Sequence, residues 1–445
     1  MQHKLQILAE RIREVALTSG AEDAEAIVRF IDSSRIEVKD GTIEGSRRNR
    51  ETSTAVRVLV GNRPGFAYVT DPDDGAIKGM AEDAVEGAKL VPSGDENRFS
   101  TATEEGTVGN IFHCAGFEAP LNRKIDMACS MEASAMAAHP AITTVYKPSY
   151  TEQYRVTAIS SGGMVWSYED TLFSVGVQAV AESDSGSQTG YDYQVCRNSS
   201  DLEPDAVGSR AGLEAGGLLG GGPPETGEYP ALIPAKVTVG LLEVLASSFS
   251  ADEIQKGRSG LTGKMGRQIF SPMISLADKG LLPGGVGSVP FDDERVCPIS
   301  RLLVDGGVMA GCFHTIRTGG KEGKESTGNG FRGSLSSVPS PGATNLILGS
   351  GESPAEKSLP PGVALQIEDL MGLHTVDRVS GDFSLGASGY IIRGGERMEP
   401  FRNAVVSGNL FQLFSRVLAV GNDLKFYGST GAPTLLVESI IVSGR

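Results

Sequence analysis

The second half of the chain consists mainly of short apolar runs separated by glycine-rich turns, and this pattern constrains the fold more than any other feature. From about residue 229 to the end, only one helix is predicted, at about 237–249. Strands that follow one another without intervening helices pair antiparallel, because a parallel pair needs a long crossover connection. We therefore predict a mostly antiparallel C-terminal β domain, either an open sheet or a barrel closed on itself.

The first 92 residues predict a helix, two hairpins and a second helix. Apolar residues recur at three- and four-residue spacing over about 5–20, and again over 77–88. Between these helices the period changes to two. Asp40-Gly41 and Gly61-Asn62 mark the hairpin turns, since Asp-Gly accepts the positive φ angles that a tight two-residue turn needs. Asp73 or Asp74 is positioned to cap the second helix.

The middle of the chain predicts a linker followed by a second α+β segment. The linker covers 93–118, which is rich in Ser, Thr, Glu and Gly and has no sustained period. Helices are predicted at about 122–138 and 204–219, with an antiparallel meander between them. Gly220-Gly221-Gly222-Pro223-Pro224 then marks a boundary. The predicted class is α+β, with an N-terminal α+β domain (1–92), a linker (93–118), a middle helix-plus-meander domain (119–224) and a C-terminal mostly-β domain (225–445).

Composition favours a folded protein that does not bind nucleic acid or membranes. Hydrophobic residues make up 40% of the chain and charged residues 21%. The formal net charge is -15, whereas contact with phosphate backbones or anionic lipid requires clustered Lys and Arg. The one dense basic run, Arg47-Arg48-Asn49-Arg50, is short and is followed by Glu51. We interpret it as a solvated strand end.

The cysteines and the N-terminal segment indicate a cytoplasmic protein. The five cysteines are scattered, odd in number and without CxxC spacing, so they predict neither a disulfide framework nor a zinc knuckle. The N-terminal segment lacks an apolar signal core. No later stretch approaches the roughly 20 apolar residues that span a bilayer.

The usual catalytic motifs are absent from the sequence. No two of the five histidines are close enough to share a helix face, and neither HExxH nor HExxxH occurs. The GxxxxGK[ST] phosphate loop and the GxSxG nucleophile elbow are also missing. We predict no catalytic residue and no metal ligand in this chain.

Two groups of residues retain a possible chemical role. Cys312 and His314 would share one face of a strand, where an imidazole lowers a thiol pKa, but we favour the simpler interpretation of a small buried cysteine beside a satisfied histidine. Asp382, Ser384 and the pair Asn422-Asp423 lie beside glycines and would line a groove, yet such residues also form ordinary turns. These residues alone predict no more than a soluble α+β protein.

Three ordered motifs resemble the C-terminal signature of the TldD/PmbA family. They are Glu325-Ser326-Thr327-Gly328-Asn329-Gly330, the segment from Gly381-Asp382-Phe383-Ser384 to Tyr390, and Val420-Gly421-Asn422-Asp423-Leu424. The hairpin at Asp40-Gly41 and the segment from Phe270 to Asp278 are similar to the PmbA branch of that family. The resemblance covers nearly the whole chain.

The resemblance implies a subunit without its own zinc. TldD-like chains carry HExxxH on a helix at the start of the C-terminal domain and a cysteine ligand near the C-terminus, whereas PmbA-like chains carry neither. Here the corresponding helix is Leu241–Phe249, without histidine, and the corresponding C-terminal segment is Gly421–Gly431, without cysteine. No cofactor is therefore expected in this chain, and zinc is expected in a partner.

The implied function is that of a PmbA/TldE-like subunit in a cytosolic metallopeptidase that processes or degrades small unfolded peptides. Its expected partner is a TldD-like, HExxxH-bearing subunit, with a homodimer when the chain is alone. The older family name, modulator of DNA gyrase, then reflects an indirect effect. The groove or interface candidates are Ser326, Thr327, Asn329, Asp382, Ser384, Asn422 and Asp423.

Two alternatives to this function remain. In one, the chain is a stand-alone peptide-binding or scaffold homodimer. In the other, it cleaves peptides by itself through Cys312 and His314, or through a metal site assembled from distant residues. Residues 312–319 also depart from the Tyr-Ser-Ala-Arg type of segment that is usual in PmbA-like chains.

Overall fold

The computed structural model describes residues 1–94, 97–184 and 186–445. The α-helices of these residues are α1 Gln2–Thr18, α2 Asp74–Lys89, α3 Cys114–Phe117, α4 Leu121–Ala137, α5 Pro204–Gly217, α6 Ala235–Ala246, α7 Ala251–Gln255, α8 Ile316–Lys321 and α9 Leu410–Ser415. Short 3₁₀ turns cover Ser199–Asp201, Ser247–Phe249, Ala355–Ser358 and Leu373–Thr375. None of the helices in this described part of the chain is long and apolar enough to cross a membrane.

The strands fall into three large sheets and one small pair. The N-terminal sheet contains β1 Asp23–Lys39, β2 Thr42–Val60, β3 Arg63–Thr70, β4 Ile142–Ser161, β5 Met164–Ser183 and β6 Gly186–Cys196. The remaining strands are β7 Gly227–Ile233, β8 Leu276–Asp278, β9 Arg301–Asp305, β10 Val308–Met309, β11 Gly330–Phe331, β12 Ser340–Pro341, β13 Leu346–Leu348, β14 Val363–Met371, β15 Asp382–Arg393, β16 Glu396–Asn409, β17 Val417–Val420, β18 Lys425–Tyr427, β19 Thr430–Ala432 and β20 Leu435–Ser443.

The N-terminal sheet is antiparallel throughout, in the order β3-β2-β1-β4-β5-β6. It therefore joins strands from 1–92 and from 119–224 in one sheet, through the pairing of β1 with β4. The two predicted hairpin turns are present. Asp40 and Gly41 have φ angles of 52° and 70°, and Gly61 and Asn62 have φ angles of 58° and 57°, as the twist of a tight hairpin requires.

Helices cover one face of this sheet in two groups. Alternate residues of β1 point to that face, because successive strand side chains point to opposite sides. Ala26 and Val28 pack with α1 and α2, whereas Ile36 and Val38 pack with α4 and α5. The helix-facing side of the sheet thus holds two adjacent apolar cores.

The opposite face of the sheet packs against the C-terminal domain. Trp166 and Tyr168 of β5 contact Phe291, with ring centroids 5.6 and 5.1 Å apart. Arg197 follows β6 and is almost fully buried. It donates to the backbone oxygens of Gly285, Val286 and Ser288 and to Asp170. This contact satisfies a buried charge and fixes the two halves of the chain to each other.

Part of the predicted linker fills the junction between the two halves. Residues 97–113 contain no helix or strand, as the composition predicted, but Phe99 and Ile111 are buried. Ser100 Oγ donates to the backbone oxygen of Arg295 at 2.8 Å. The segment is therefore packed against the protein over these residues, and Asp95 and Glu96 lie outside the described part.

The C-terminal domain contains a closed sheet, which confirms the predicted barrel-like arrangement. The order is β16-β15-β14-β7-β20, with β20 pairing back to β16 and β17 added beside β20. All pairs are antiparallel except β14 with β7. A second sheet, β10-β9-β8-β13-β19-β18, lies beside it, and α6 packs against β18 and β19 of that sheet.

Candidate functional site

The site begins at helix α6, which occupies the position where the resemblance places the HExxxH helix. Its buried side chains, Leu241, Leu242 and Leu245, face the core of the C-terminal domain. Glu243 points outward, and its carboxylate accepts a hydrogen bond from Thr430 of β19. The helix and the segment Gly421–Gly431 therefore lie side by side, although about 180 residues of chain separate them.

The side chains at this contact do not fit a zinc ion. Zinc sites use three or four Cys, His or carboxylate ligands. Here α6 supplies one carboxylate, Glu243, while β18 and β19 supply Lys, Phe, Tyr, Thr, Gly and Ala. Across residues 1–94, 97–184 and 186–445, no group of three His, Cys, Asp or Glu side chains is arranged to hold a metal ion. That this chain binds no zinc in solution stays a prediction.

A cavity of about 370 Å³ opens at the beginning of α6, and we call it the polar cleft. It lies between the middle segment of the chain and the C-terminal domain. Its lining includes Asp192, Glu214, Lys236, Glu368, Arg397 and Asp423. These residues come from β6, α5, α6, β14, β16 and the β17–β18 turn, so the cleft exists only in the folded chain.

The ion pair between Glu214 and Lys236 forms one wall of the polar cleft. Lys236 Nζ lies 2.8 Å from Glu214 Oε2. Both side chains are largely buried, since that of Glu214 is 13% exposed and that of Lys236 is 15% exposed. The same ammonium donates to the backbone oxygen of Tyr191 and lies 3.5 Å from the centroid of the Tyr191 ring. Burial raises the pKa of Glu214 to about 7, although Lys236 opposes that change. Glu214 therefore exchanges a proton near neutral pH.

A second group of polar side chains forms the opposite wall. Gln366 Nε2 donates to Glu368 Oε1 at 2.6 Å, and Arg397 Nε donates to Gln366 Oε1 at 2.9 Å. Burial raises the pKa of Glu368 and of its neighbour Asp369 above their ordinary values. Two carboxyl groups with raised pKa, Glu214 and Glu368, therefore line this cavity, and such groups are typical of functional sites.

The chemistry available in the polar cleft is binding and proton exchange. Its carboxylates and amide groups can accept and donate hydrogen bonds to a peptide backbone or an amine. Its described lining contains neither a thiol nor an imidazole. The cleft therefore has the hydrogen-bonding groups of a binding site.

Asp423 is the one predicted candidate that lines the polar cleft. Its Oδ1 accepts the backbone N–H of Thr434 at 2.9 Å, and its Oδ2 accepts the Thr434 hydroxyl at 2.7 Å. Both oxygens thus hold the β17–β18 turn against β20. Asn422 is exposed beside it.

The other predicted candidates lie in two different parts of the fold. Asn329 is fully buried, where its amide donates to Asp278 and Thr327 donates to its carbonyl oxygen. Ser326 and Thr327 donate to the backbone oxygen of His314. These three residues fix a loop in the C-terminal domain.

Asp382 and Ser384 are exposed on β15 of the closed sheet. Asn409 Nδ2 donates to Asp382 Oδ1 at 2.8 Å, and Ser407 Oγ donates to Ser384 Oγ at 3.3 Å. Both bonds join β15 to its neighbour β16. The family signature therefore does not converge on one groove, and whether any of its residues contacts peptide stays a prediction.

Cys312 and His314 do meet, with Sγ and Nε2 3.2 Å apart, although this segment forms only a single bridge and no regular strand. Burial raises the pKa of Cys312 and lowers that of His314. Both changes favour the neutral thiol and the neutral imidazole. The geometry of a reactive pair is present, but the buried environment opposes the thiolate that a nucleophile requires.

Sequence reasoning missed Glu214, Lys236, Glu368 and Arg397. No local motif marks them, because the four side chains come from α5, α6, β14 and β16. Lys236 is a polar residue in a mostly apolar helix, whereas Glu368 and Arg397 lie among other polar residues in their strands and have no distinguishing sequence signal.

Comparison with known families assigns the chain. Models described as PmbA/TldA metallopeptidase domain 1, central domain and C-terminal domain match residues 24–88, 116–219 and 226–444. The chain belongs to the TldD/PmbA family. All three signature motifs lie within the match to the C-terminal domain.

Relatives in the TldD/PmbA family match over almost the whole chain. The chain is 25% identical over 437 residues to "Metalloprotease PmbA" of Escherichia coli O157:H7, which covers 96% of this chain and 94% of that protein. It is 24% identical over 408 residues to a "Metalloprotease TldD homolog" of Buchnera aphidicola, covering 87% and 83%.

Solved structures of this family share the fold. A protein from Thermotoga maritima described as a modulator of DNA gyrase superposes with a TM-score of 0.86, at 27% identity over 98% of this chain and 99% of that chain. TldE from Thermococcus kodakarensis superposes with a TM-score of 0.88, at 19% identity over 98% and 99%. At that identity the second likeness shows the fold alone.

Proposed function

We propose that this chain is the zinc-free, PmbA/TldE-like subunit of a cytoplasmic heteromeric metallopeptidase that acts on small unfolded peptides. The zinc would belong to an HExxxH-bearing relative. Membership of a family whose members are named metalloproteases supports the general activity. That the zinc belongs to one subunit and that this chain is a second, zinc-free subunit is the part that we propose.

The observation that carries the proposal is the composition of α6 and of the strands that it packs against. A helical zinc-hydrolase site needs two imidazoles about one turn apart and a carboxylate. In α6 the buried positions hold Ala, Val, Thr and Leu, and the outward Glu243 bonds to Thr430 instead of to a His or Cys side chain. The chain keeps the helix of a metallopeptidase domain without the ligands.

Its role in the complex would be to enclose and shape the space over the partner's zinc. The polar cleft opens at the beginning of α6 and carries hydrogen-bonding groups suited to an extended peptide. Exposed apolar side chains on strands of the C-terminal domain favour a subunit interface there. They are Val405, Leu418, Phe426 and Ile441, which are 40–55% exposed.

Metal analysis and a peptidase assay on the purified chain test this proposal. We expect zinc far below one per chain and no cleavage of an unstructured peptide, because the ligands are too few and dispersed. The Cys312→Ala variant serves as the matched control for the thiol alternative. One zinc per chain with chelator-sensitive cleavage, or cleavage that Cys312→Ala abolishes, would overturn the proposal.

A further inference from the structure

A second cavity, of about 320 Å³, lies between the N-terminal sheet and the C-terminal domain. We call it the junction pocket. It is bordered by Phe66, Arg98, Phe99, Lys256, Arg317 and Val338, which come from β3, the 97–99 segment, the residue after α7, α8 and the loop before β12. It is separate from the polar cleft, with which it shares no lining residue.

The junction pocket has several apolar wall residues, and two of its aromatic rings contact arginine side chains. Val338, one of these wall residues, is 54% exposed, and Pro339 and Pro341, which follow it in the chain, also line the pocket. The guanidinium of Arg57 lies 5.2 Å from the centroid of the Phe99 ring, and that of Arg332 lies 5.4 Å from the centroid of the Phe66 ring. Such contacts orient the two rings, of which the half-buried Phe66 offers more surface to an apolar side chain than the buried Phe99.

The charged residues of the pocket leave an excess of positive charge. Arg57 is neutralised by Glu25 and Glu294, at 2.6 and 3.0 Å, and Lys256 is paired with Asp252 at 2.5 Å. Two further cations line the cavity.

Those two cations are Arg98 and Arg317. Arg98 has only a long contact, 3.6 Å, with Glu325, whose side chain is 93% exposed. Arg317 is exposed and forms no ion pair with any of the residues that the structure describes. A free guanidinium beside apolar walls stands out in a chain of net charge -15 and suits a ligand that combines an apolar body with a carboxylate.

We propose that the junction pocket binds the C-terminal end of a peptide whose last side chain is apolar. The side chain would occupy the space between Phe66, Phe99 and Val338, and the terminal carboxylate would bind Arg317, with Arg98 beside it. A cavity of about 320 Å³ is at the small end of ligand pockets, so it accommodates one or two residues and not a longer segment. The inference rests on the proposed function, since it takes a peptide as the ligand.

Peptide binding to the full-length chain tests this inference. The probe is a fluorescein-labelled, unstructured peptide of about ten residues that ends in phenylalanine, measured by fluorescence anisotropy at low salt. It is compared with the same peptide as its C-terminal amide, and with an amide that carries one internal aspartate. We expect the free acid to bind about tenfold more tightly than both amides, because a carboxylate on an arginine forms a charge-assisted hydrogen bond.

Substitutions separate the pocket from the rest of the surface. Arg317→Gln should remove most of the difference in affinity between the free-acid peptide and its C-terminal amide. Val338→Asp should weaken the binding of both peptides. Arg378→Gln changes an exposed arginine outside the pocket and should leave the difference intact. Since Arg317, Val338 and Arg378 are all exposed, the variants should fold, which circular dichroism would verify.

The inference is overturned if the acid and the amide bind equally, if the acid does not bind at millimolar concentration, or if Arg317→Gln keeps the full difference. Preference for the internal aspartate over the free C-terminus would also overturn it. The assay needs neither the partner nor zinc. Failure to form a heteromeric complex would therefore overturn the proposed function without changing this result, and the two failures are distinguishable.

Discussion

Glu214 illustrates how folding changes the chemistry of a single residue. On the sequence it is an ordinary glutamate on a helix that is otherwise rich in Ala and Gly. In the fold it is largely buried beside Lys236, and the cost of burying its charge exceeds the attraction of the ammonium. Its raised pKa is therefore a property of the packing of α5 against α6, which no local pattern encodes.

The raised pKa of Glu214 predicts a pH dependence of stability. The folded state keeps a proton that the unfolded chain releases above its ordinary pKa of 4.5, until the folded group titrates at about 7. The free energy of unfolding should therefore fall as the pH rises from about 4.5 to 7, by at most on the order of 3 kcal/mol from this group. In the Glu214→Gln variant, this part of the decrease in the free energy of unfolding should be absent.

Urea unfolding between pH 4.5 and 8 measures this effect. Glu356→Gln is the control, since it removes an exposed carboxylate from the rim of the same cleft and should keep the wild-type slope. If the Glu214→Gln and wild-type curves run parallel across the window, Glu214 does not titrate as described.

At the level of elements, the sequence predicted the long helices α1, α2, α4, α5 and α6 and the two tight turns. The prediction of a single helix after residue 229 was wrong, because the short helices α7, α8 and α9 span only one or two turns and have no apolar period, and α3 was likewise missed within the predicted linker. The helix at α2 follows from its apolar period, and Asp73 does cap it, accepting the N–H of Ala76 at 2.7 Å. The two tight turns follow from Asp-Gly and Gly-Asn chemistry. The pairing of β1 with β4 did not follow, because more than 100 residues separate these strands and alternation specifies a face but not a partner.

The contact of α2 with β3 predicts opposite effects for two glycine substitutions. A Cβ added at Gly65 would lie 1.9 Å from the carbonyl oxygen of Ala84, so Gly65→Ala forces backbone of α2 away from β3. We expect Gly65→Ala to lower the free energy of unfolding by about 1–3 kcal/mol. Gly79→Ala, in α2 itself, meets nothing within 4 Å and should stabilise the helix by up to about 1 kcal/mol.

Thermal unfolding of the two full-length variants measures this difference. Equal shifts in the same direction for Gly65→Ala and Gly79→Ala would show that α2 does not approach β3 as closely as the structure places it.

At the scale of the whole molecule, the class and the closed C-terminal sheet were predictable, whereas the two cavities were not. Repeated short strands specify antiparallel pairing, and closure removes the free edges. The polar cleft and the junction pocket form where segments that are distant in sequence meet. Arg197 is another contact of this kind, because it joins β6 to the loop 285–288. Of the candidate residues taken from motifs, Ser326, Thr327, Asn329 and Asp423 fix loops and turns by hydrogen bonds, whereas Asp382 and Ser384 join β15 to β16.

The central claim, that this chain completes a peptidase whose zinc lies elsewhere, is tested most directly by co-expression with an HExxxH-bearing relative from the same organism. Stable interfaces between permanent subunits typically bury about 2,000 Å² or more. We predict one co-eluting complex that cleaves an unfolded peptide, loses this activity with a chelator, and is far more active than the relative alone. Separate elution at micromolar concentration, with the relative fully active by itself, would contradict the account.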